Sequence, residues 1–205
     1  MKQTLLLLAG YPATGKTYMC SRILERFPQL VVLSQDKIKE QVWTEYGFNN
    51  IEEKKEAEKM AWDQYYKSME LNMAEGRSII SDYPFSSKQK RYLKEIAEGH
   101  GVQVITMRLV GDLDILYQRS LKRDLDESRH LGHLVSAYHK GDVLDERSCA
   151  DELVTREIFM DRCLNKGYGL FELGYLLEVD VTDFSKINYK EILDQLEEQL
   201  RRNNG

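Results

Sequence analysis

The residues with the clearest chemistry lie near the amino terminus, where Gly10 to Thr17 read Gly-Tyr-Pro-Ala-Thr-Gly-Lys-Thr. This run matches the pattern G-x-x-x-x-G-K-[ST] at every fixed position, between an apolar run and a segment with helical spacing. The glycines permit torsions that let backbone N–H groups surround a phosphate, and the helix N-terminus adds partial positive charge. Lys16 is expected to reach the β- and γ-phosphates. The predicted nucleotide-binding residues are Gly10, Tyr11, Pro12, Ala13, Thr14, Gly15, Lys16, Thr17 and Tyr18.

Two aspartates follow other apolar segments of the chain. Asp82 directly follows the segment Ser78–Ser81. Together with the Thr17 hydroxyl, it forms the predicted Mg²⁺ site. Asp36 follows Leu30–Ser34, and the carboxyl ends of parallel strands share one edge of a sheet, where ligands bind. We therefore expect Asp36 across the γ-phosphate from Lys16, where it orients or deprotonates an acceptor hydroxyl. The alternative is a carboxylate that caps the helix beginning at Lys37.

The choice between hydrolysis and transfer depends on motifs that are missing. Guanine-specific proteins carry Asn-Lys-x-Asp, whereas the Asn165-Lys166 pair here is followed by Gly-Tyr. Many ATPases place a water-activating Glu after the second acidic strand, but Asp82 is followed by Tyr83 and Pro84. Without a residue to activate water, transfer to a bound hydroxyl is favoured.

Three arginines supply candidate cations for the transferred phosphoryl group. Arg119 and Arg123 are four residues apart and share a helix face, and Arg129 follows in a polar segment. We expect Arg123 first, and Arg119 second, to act at the reacting phosphate, where cations stabilise charge and exclude water. The alternative is solvated side chains paired with the nearby acids Asp124, Asp126 and Glu127.

Apolar runs alternating with helical segments predict an α/β fold with a parallel sheet covered on both faces. The predicted strands are Thr4–Ala9, Leu30–Ser34, Ser78–Ser81, Val102–Val110 and Leu176–Val181. The predicted helices are Lys16–Phe27, Asp36–Tyr46, Ile51–Glu75, Ser86–Glu98, Asp112–Arg123, Asp151–Leu164 and Tyr189–Arg202. We expect one domain over 1–205, with a helical acceptor-side insertion at 47–76 and a polar lid at 124–147.

Composition limits the classes of partner. The 205 residues carry a net charge of −5, which argues against an extended nucleic-acid surface. Cys20, Cys149 and Cys163 have no metal or redox spacing, and no apolar run is long enough to cross a bilayer. We therefore expect a cytoplasmic protein with no membrane partner. The sequence does not indicate an oligomeric state.

Two groups of side chains invite alternative interpretations. His130, His133, His139 and Cys149 have spacings that match no zinc pattern, and their polar setting suits a mobile lid better. Six aromatics fall around the predicted insertion, and we expect them to pack it rather than to stack on an acceptor ring. They are Trp43, Tyr46, Phe48, Trp62, Tyr65 and Tyr66.

These segments together resemble the P-loop kinases grouped with polynucleotide kinase, zeta toxin and chloramphenicol phosphotransferase, often labelled AAA-domain kinases. The similar segments are Leu5–Thr17, Val31–Lys39, Ser78–Asp82 and Leu116–Arg123, and Arg129–His133 resembles a lid motif of some relatives. The resemblance implies a three-layer P-loop NTPase fold with a five-stranded parallel sheet of order 2-3-1-4-5. It also implies MgATP as donor.

The resemblance further implies roles for single residues. Asp36 would be the acceptor-side base, Asp82 the magnesium-side carboxylate and Arg123 a lid arginine, and the loop with Thr182 and Asp183 would pass near the adenine. The alternative for that loop is a plain turn in which Asp183 or Ser185 caps the last helix. Lys39 stands where many relatives have Arg, and Tyr83-Pro84 replaces a Thr-Asn pair, so the resemblance does not identify the acceptor.

The sequence thus predicts a kinase that transfers the γ-phosphate of MgATP to a hydroxyl of a nucleoside, sugar or related small molecule. Catalysis is assigned to Lys16, Asp36, Arg123 and Arg119. One alternative is a kinase of nucleic-acid 5′ ends or of an activated sugar. Another is an ATP-dependent switch without an acceptor, which a closed acceptor side filled by Trp62 and Tyr66 would favour.

Overall fold

The chain forms alternating strands and helices in a computed structural model that describes residues 2–202. The strands are β1 (Thr4–Gly10), β2 (Val31–Val32), β3 (Ile79–Asp82), β4 (Gln103–Val110) and β5 (Tyr175–Asp180). The helices are α1 (Lys16–Arg26), α2 (Gln35–Tyr46), α3 (Ile51–Ala74), α4 (Ser87–Gly99), α5 (Leu113–Leu125), α6 (Arg156–Asn165) and α7 (Tyr189–Arg201). Within residues 2–202, no helix combines the length and apolarity needed to span a membrane.

The five strands form one parallel sheet in the order β2-β3-β1-β4-β5, which confirms the predicted fold and strand order. In the register, Leu8 of β1 lies opposite Asp82 of β3, and Gly10 lies opposite Leu109 of β4. Because all strands run the same way, the turns after β1, β2 and β3 leave one edge of the sheet together. This edge carries the phosphate loop, Ser34 and Asp82.

Alternate side chains of β1 supply the two halves of the core. Leu6 and Leu8 face a cluster built with α1 and α7, whereas Leu5 and Leu7 face a second cluster built with α3 and α4. All four leucines are fully buried, as expected for a central parallel strand covered on both faces.

Helix α3 is fixed against the sheet by a stripe of buried side chains spaced four residues apart and by a series of buried hydrogen bonds. The side chains of this stripe are Ala57, Ala61, Tyr65, Met69 and Met73. The Tyr65 hydroxyl lies 2.8 Å from Ser81 Oγ, and Ser81 Oγ donates to the Leu33 carbonyl at 2.6 Å. These contacts hold α3 beside the ends of β2 and β3, where the cleft described below opens.

The predicted elements match the structure to within one or two residues at most ends, but β2 is shorter than predicted and α6 begins later. β2 spans only Val31–Val32, although the Leu33 N–H still donates to the Ile80 carbonyl, because β2 is an edge strand paired only with the short β3. Helix α6 begins at Arg156 rather than Asp151. Thr155 caps it, and the Asp151 carboxylate instead accepts hydrogen bonds from Ser136.

Candidate active site

The turn between β1 and α1 has the torsions that the glycine pattern predicts. Gly10 and Gly15 have φ of 106° and 80°, and Ala13 is the only non-glycine residue with positive φ among residues 2–202. A Cβ on Gly10 would lie 1.9 Å from the Leu109 carbonyl oxygen, so the neighbouring strand also requires glycine there. Gly15 occupies the N-cap of α1, which directs that helix N-terminus at the turn.

Lys16 lies over this turn and has an unusual charge environment. Its Nζ donates to the Tyr11 carbonyl at 2.6 Å and approaches the Gly10 carbonyl at 3.4 Å. Burial lowers the pKa of Lys16 to about 8, although the carboxylates of Asp36 and Asp82 act in the opposite direction. Its ammonium is therefore desolvated and held where a phosphate would meet it.

Thr17 and Asp82 form the candidate metal site. Thr17 Oγ1 donates to Asp82 Oδ2 at 2.9 Å, whereas Asp82 Oδ1 is buried without a hydrogen-bond partner among the described residues. Burial raises the pKa of the Asp82 carboxyl. A hydroxyl and a carboxylate with one unpaired buried oxygen fit Mg²⁺, which is commonly held by one or two protein oxygens plus phosphates. Residues 2–202 contain no group of three or more His, Cys, Asp or Glu suited to a metal.

Asp36 lies in the first turn of α2 and is not its cap. The N-cap is Ser34, and the helix begins at Gln35, so the capping interpretation of Asp36 is wrong. Lys39 Nζ lies 3.0 Å from Asp36 Oδ1. Burial alone would raise the pKa of Asp36, but its cationic neighbours, led by Lys39, outweigh burial and hold that pKa below its ordinary range. Asp36 is therefore an ionised carboxylate.

A cleft of about 830 Å³ joins these elements. It is lined by eight Lys or Arg and only four Asp or Glu, an excess of positive charge in a chain whose net charge is −5. Its cations are Lys16, Lys39, Arg119, Lys122, Arg123, Arg129, Arg162 and Lys166. Such a volume suits a nucleotide-sized ligand, and the charge suits an anionic one.

Most predicted site residues line this cleft and some do not. Those that do are Pro12, Ala13, Gly15, Lys16, Thr17, Asp36, Asp82, Arg119 and Arg123. The others lie behind or beside it: Gly10, Tyr11, Thr14, Tyr18, Thr182 and Asp183. Tyr18 is 56% exposed, and its ring packs edge-on against Tyr189, so its side chain faces away from the phosphate loop.

Arg119 is bound to the loop after β5. Its two terminal nitrogens donate to the carbonyls of Val181 and Thr182, both at 2.7 Å. Its guanidinium lies 3.8 Å from the centre of the Phe184 ring, a cation–π contact. A Cβ on Gly15 would lie 3.3 Å from the same ring. Arg119 and Phe184 thus form a flat wall beside the phosphate loop, while Asp183 caps the following turn.

Arg123 and Arg129 share one carboxylate. Arg123 Nε donates to Asp124 Oδ1 at 2.9 Å, and Arg129 Nε lies 3.5 Å from the same oxygen. Arg129 is the more buried of the two and also approaches Glu40 at 3.7 Å. The sequence ranked Arg129 last, yet it is in the cleft and contributes to the field at Asp36.

The segment after α5 packs its histidines on α2. The ring of His133 lies edge-on to Trp43 with centroids 4.9 Å apart, and His133 Nε2 lies 2.7 Å from Glu40 Oε1. Burial and the nearby cations Arg129 and Lys39 lower the pKa of His133 well below its ordinary value. The Gly132 N–H donates a hydrogen bond to His130 Nδ1. The hydrogen of the neutral ring is therefore on Nε2, which donates to Thr44 Oγ1.

None of the six aromatics around α3 lines the cleft, and five of them pack the protein as predicted, whereas Tyr46 is exposed. Trp43, Phe48 and Tyr65 are fully buried, and Trp62 stacks on Tyr66. The part of the cleft lining near Asp36 includes instead Lys39, Glu58 and Tyr83.

Sequence reasoning assigned no role to several cleft residues, namely Lys39, Glu58, Lys122, His133, Arg162, Lys166, Tyr168 and Phe184. Lys39 could have been found, because it follows Asp36 by three residues and so shares its helix face. Arg162 and Lys166 carry a weaker signal, a four-residue spacing of cations at the end of α6.

Comparisons with known proteins agree with this geometry. Residues 5–135, more than half of the chain, match the profile of the family described as an AAA domain. No curated protein sequence matches the chain. The resemblance predicted from the sequence is thereby confirmed.

Three solved structures have a similar fold. A candidate kinase from Chloroflexus aurantiacus gives a TM-score of 0.76 at 24% identity, over 98% of this chain and 100% of that one. A sugar kinase from Janibacter sp. gives 0.53 at 13% identity, over 98% of this chain and 95% of its own. A tunicamycin resistance protein from Deinococcus radiodurans gives 0.55 at 15% identity, over 99% and 98% of the two chains. At identities this low, the similarity in structure shows a shared fold and nothing more specific.

Proposed function

The chain belongs to the AAA-domain family, and we propose that it is a kinase that transfers the γ-phosphate of MgATP to a hydroxyl of a small molecule. One observation carries the proposal: the phosphate-loop Lys16 and the ionised Asp36 line the same cleft. A nucleotide-binding loop alone serves hydrolases, switches and kinases. A carboxylate opposite the phosphate-loop lysine supplies what a kinase additionally needs, a group that directs an acceptor hydroxyl.

The donor is assigned to the side of the cleft formed by the phosphate loop, Arg119 and Phe184. The backbone N–H groups from Ala13 to Thr17 would hold the phosphates, and the flat face of Phe184 with the Arg119 guanidinium would bind the base. Thr182 and Asp183 shape this wall through backbone contacts and capping, not through the lining of the cleft. ATP is the proposed nucleotide because the guanine-recognition motif is missing.

Thr17 Oγ1 and the two oxygens of Asp82 would hold Mg²⁺, which when bound neutralises charge on the phosphates. Lys16 and Arg123 add positive charge at the same place. Their task is electrostatic, because the transferred phosphoryl group passes through a loose transition state whose charge lies on its outer oxygens.

Asp36 is assigned to the acceptor. Because Lys39 holds the pKa of Asp36 low, the side chain stays ionised and can accept a hydrogen bond, but it is a weak base. It would therefore orient the acceptor oxygen towards the γ-phosphorus rather than remove its proton in advance. The new oxygen–phosphorus bond forms as the bond to the β-phosphate oxygen breaks, ADP is the leaving group, and the hydroxyl proton passes to Asp36 late in the step.

The two alternatives from the sequence are less well supported. A switch would have its acceptor side filled by Trp62 and Tyr66, but neither side chain lines the cleft. A nucleic-acid 5′ end would need a track of cations leading out of the cleft, and the net charge of −5 offers no broad basic surface. An activated sugar remains within the proposed class of small acceptors.

We also place the protein in the cytoplasm. Cys20 and Cys163 are buried as free thiols, and Cys149 is an exposed free thiol. Free thiols of this kind suit a reducing compartment, where a MgATP-dependent enzyme finds its donor.

The test is ADP formation from MgATP, with and without pools of nucleosides, sugars and short oligonucleotides. We expect one pool of small molecules to stimulate ADP formation, and splitting that pool would identify the acceptor. Lys16→Ala should abolish the stimulated activity, and Lys190→Ala, an exposed lysine on α7, serves as the matched control. Tight ATP binding with no stimulation by any pool would contradict the proposal and favour the switch.

A further inference from the structure

Two cations at the C-terminal end of α6, Arg162 in the helix and Lys166 at its C-cap, line the cleft without side-chain partners among the described residues. Arg162 and Lys166 are four residues apart, so they extend from one face of the helix. Within residues 2–202, neither side chain has an ion-pair partner within 4.0 Å or a hydrogen bond. Of the other cleft cations, Lys39 is engaged by Asp36, Arg123 and Arg129 by Asp124, and Lys16 and Arg119 by backbone carbonyls. Lys122 on α5 is also without a partner among the described residues, but the cations beside it on that helix, Arg119 and Arg123, are engaged.

The helix that carries the pair is fixed in place. Phe159 and Cys163 on α6 are buried against Leu116 of α5, with Tyr11 of the phosphate loop packed on the same cluster. The turn after α6 comes so close to the Tyr11 hydroxyl that a Cβ on Gly169 would lie 2.2 Å from it. The part of the chain that carries the two cations is therefore held in place by packing.

The surroundings place Lys166 on the acceptor side of the cleft. Glu58 on α3 and Tyr83 after β3 line the cleft together with Lys166. The turn after Lys166 leads to Phe171, whose ring centroid lies 5.3 Å from that of Phe85, and Phe85 in turn packs on Tyr83, the residue after Asp82. The donor wall, in contrast, is built from Arg119 and Phe184 on the far side of the phosphate loop.

An anion would remove an unfavourable arrangement of charge. Burial, then repulsion from Arg162 and Lys88, lowers the pKa of Lys166. Two like charges held four residues apart on a helix cost free energy unless something of opposite charge joins them. A phosphate or carboxylate between them would accept charge-assisted hydrogen bonds from both, and Arg162 offers the planar fork that such groups fit.

We propose that Arg162 and Lys166 bind an anionic group of the acceptor, so that the substrate is a hydroxyl compound that already carries a phosphate or a carboxylate. This inference rests on the proposed kinase function and specifies its acceptor class. The anion at Arg162 and Lys166 fixes one end of the substrate, and Asp36 directs its hydroxyl at the γ-phosphorus.

Matched acceptors test the class. Each hydroxyl compound is offered as a neutral form, a phosphate monoester and a carboxylate, for example a nucleoside with its monophosphate and a sugar with its phosphate and its uronate. We expect phosphorylation of anionic members and at least tenfold lower kcat/KM for the neutral ones, a conservative figure for two charge-assisted hydrogen bonds. The phosphate and carboxylate arms identify which anion is used. If the neutral compound of a set were phosphorylated as efficiently as its anionic forms, the inference would be overturned, while the proposed kinase function would still be supported.

Variants of the pair separate acceptor binding from donor binding. Arg162→Gln and Lys166→Gln should each raise the KM for the anionic acceptor by about tenfold, with an unchanged KM for ATP. Lys190→Gln, exposed on α7, is the matched control. An increased KM for ATP instead would assign the pair to the donor, and unchanged values for both substrates would assign it to neither. Both results would overturn the inference.

A binding measurement keeps the inference testable without turnover. Inorganic phosphate should raise the melting temperature of the protein saturated with Mg²⁺ and a non-hydrolysable ATP analogue. We expect this rise to be smaller in the Arg162→Gln, Lys166→Gln double variant. A retained rise in the double variant would overturn the anion site. Loss of the rise, together with no phosphorylation of any acceptor, would support the site while contradicting the proposed function.

Discussion

Thr17 Oγ1 donates a hydrogen bond to Asp82 Oδ2 at 2.9 Å and thereby joins the first turn of α1 to the end of β3. The two residues are 65 positions apart in the chain and meet because β1 and β3 are paired in parallel register, with Leu8 opposite Asp82. The second oxygen, Asp82 Oδ1, is buried without a partner among the described residues. A buried carboxylate oxygen without a partner is costly, and a bound cation removes that cost.

The first prediction concerns this pair. Asp82→Asn and Thr17→Val should each raise the Mg²⁺ concentration needed for half-maximal activity by about tenfold or more, because each removes one of few protein oxygens for the ion. The measurement is an Mg²⁺ titration of ADP formation at saturating ATP. Asp63→Asn, an exposed carboxylate on α3, is the control. An unchanged Mg²⁺ requirement in Asp82→Asn would remove Asp82 from the metal site.

The second prediction concerns Asp36. Asp36→Asn should lower kcat by about 10²- to 10⁴-fold while the dissociation constant for MgATP changes little, because the carboxylate is assigned to the acceptor. The fold should be retained, because Asp36 is not the N-cap residue of α2 and asparagine has the same size, although the ion pair with Lys39 is lost. Glu45→Gln, exposed on the same helix, is the control. A variant that binds ATP normally and keeps full kcat would contradict the assignment.

The third prediction concerns the donor wall. Arg119→Ala and Phe184→Ala should each raise the KM for ATP several-fold with little change in kcat, because their contact lies beside the phosphate loop and away from Asp36. The double variant should cost less than the sum of the two single changes, because each side chain positions the other. Lys186→Ala, in the same turn and exposed, is the control. A loss confined to kcat would instead place Arg119 at the transferred phosphate, as the sequence first suggested.

A feature could be predicted from the sequence when the residues that form it are close together in the chain. The phosphate loop is read from eight consecutive residues because its torsions and its lysine lie within one turn. The strand order followed from the resemblance to a family, and the continuous apolar runs indicated that both faces of the sheet are covered.

The rest of the cleft depends on contacts between distant segments. Phe184 meets Arg119 only after β5 pairs with β4, and Arg162 reaches the cleft only because α6 packs on α5. The spacing of these residues in the sequence does not indicate that they come together in the fold. The helix that carries Asp36 was predicted nearly to the residue, but its start at Gln35 instead of Lys37 makes Asp36 a first-turn carboxylate paired with Lys39 rather than a cap.

The fourth prediction is a pH dependence of stability that arises at His133. Because the pKa of His133 is well below its ordinary value in the folded protein, the unfolded chain binds the proton more readily between that value and about 6.5. The free energy of unfolding should therefore fall as the pH drops from 7 to 5.5, by at most about 1.4 kcal/mol per pH unit from this group. Protonation of Glu40, whose pKa burial raises, acts in the opposite direction.

Urea denaturation at pH 7 and 5.5 measures this slope. His133→Gln should reduce the slope, since glutamine can still donate to Glu40 but does not titrate, and the exposed His100→Gln should leave it unchanged. Lys39, Arg129 and Asp36 also face His133 and are the same in both variants. An equal slope in wild type and His133→Gln would contradict the assignment.

The last prediction tests whether residues 124–147 act as a lid. His133 and Gly132 lie against Trp43, and a Cβ on Gly132 would come within 2.7 Å of that ring. Trp43 is 1% exposed and is one of two tryptophans in the chain, so Trp62→Phe leaves it as the single reporter of this contact.

If Arg123 and Arg129 close over MgATP, the residues that follow Arg129 shift against Trp43, and its emission should change in intensity or wavelength. Closure of this kind is how kinases exclude water from the reacting phosphate. The measurement is a fluorescence titration of the Trp62→Phe variant with MgATP, and the same titration with Lys16→Ala added should give no change. Emission that stays constant while MgATP binds would mean that the segment is a fixed wall, with its arginines already in place before the nucleotide arrives.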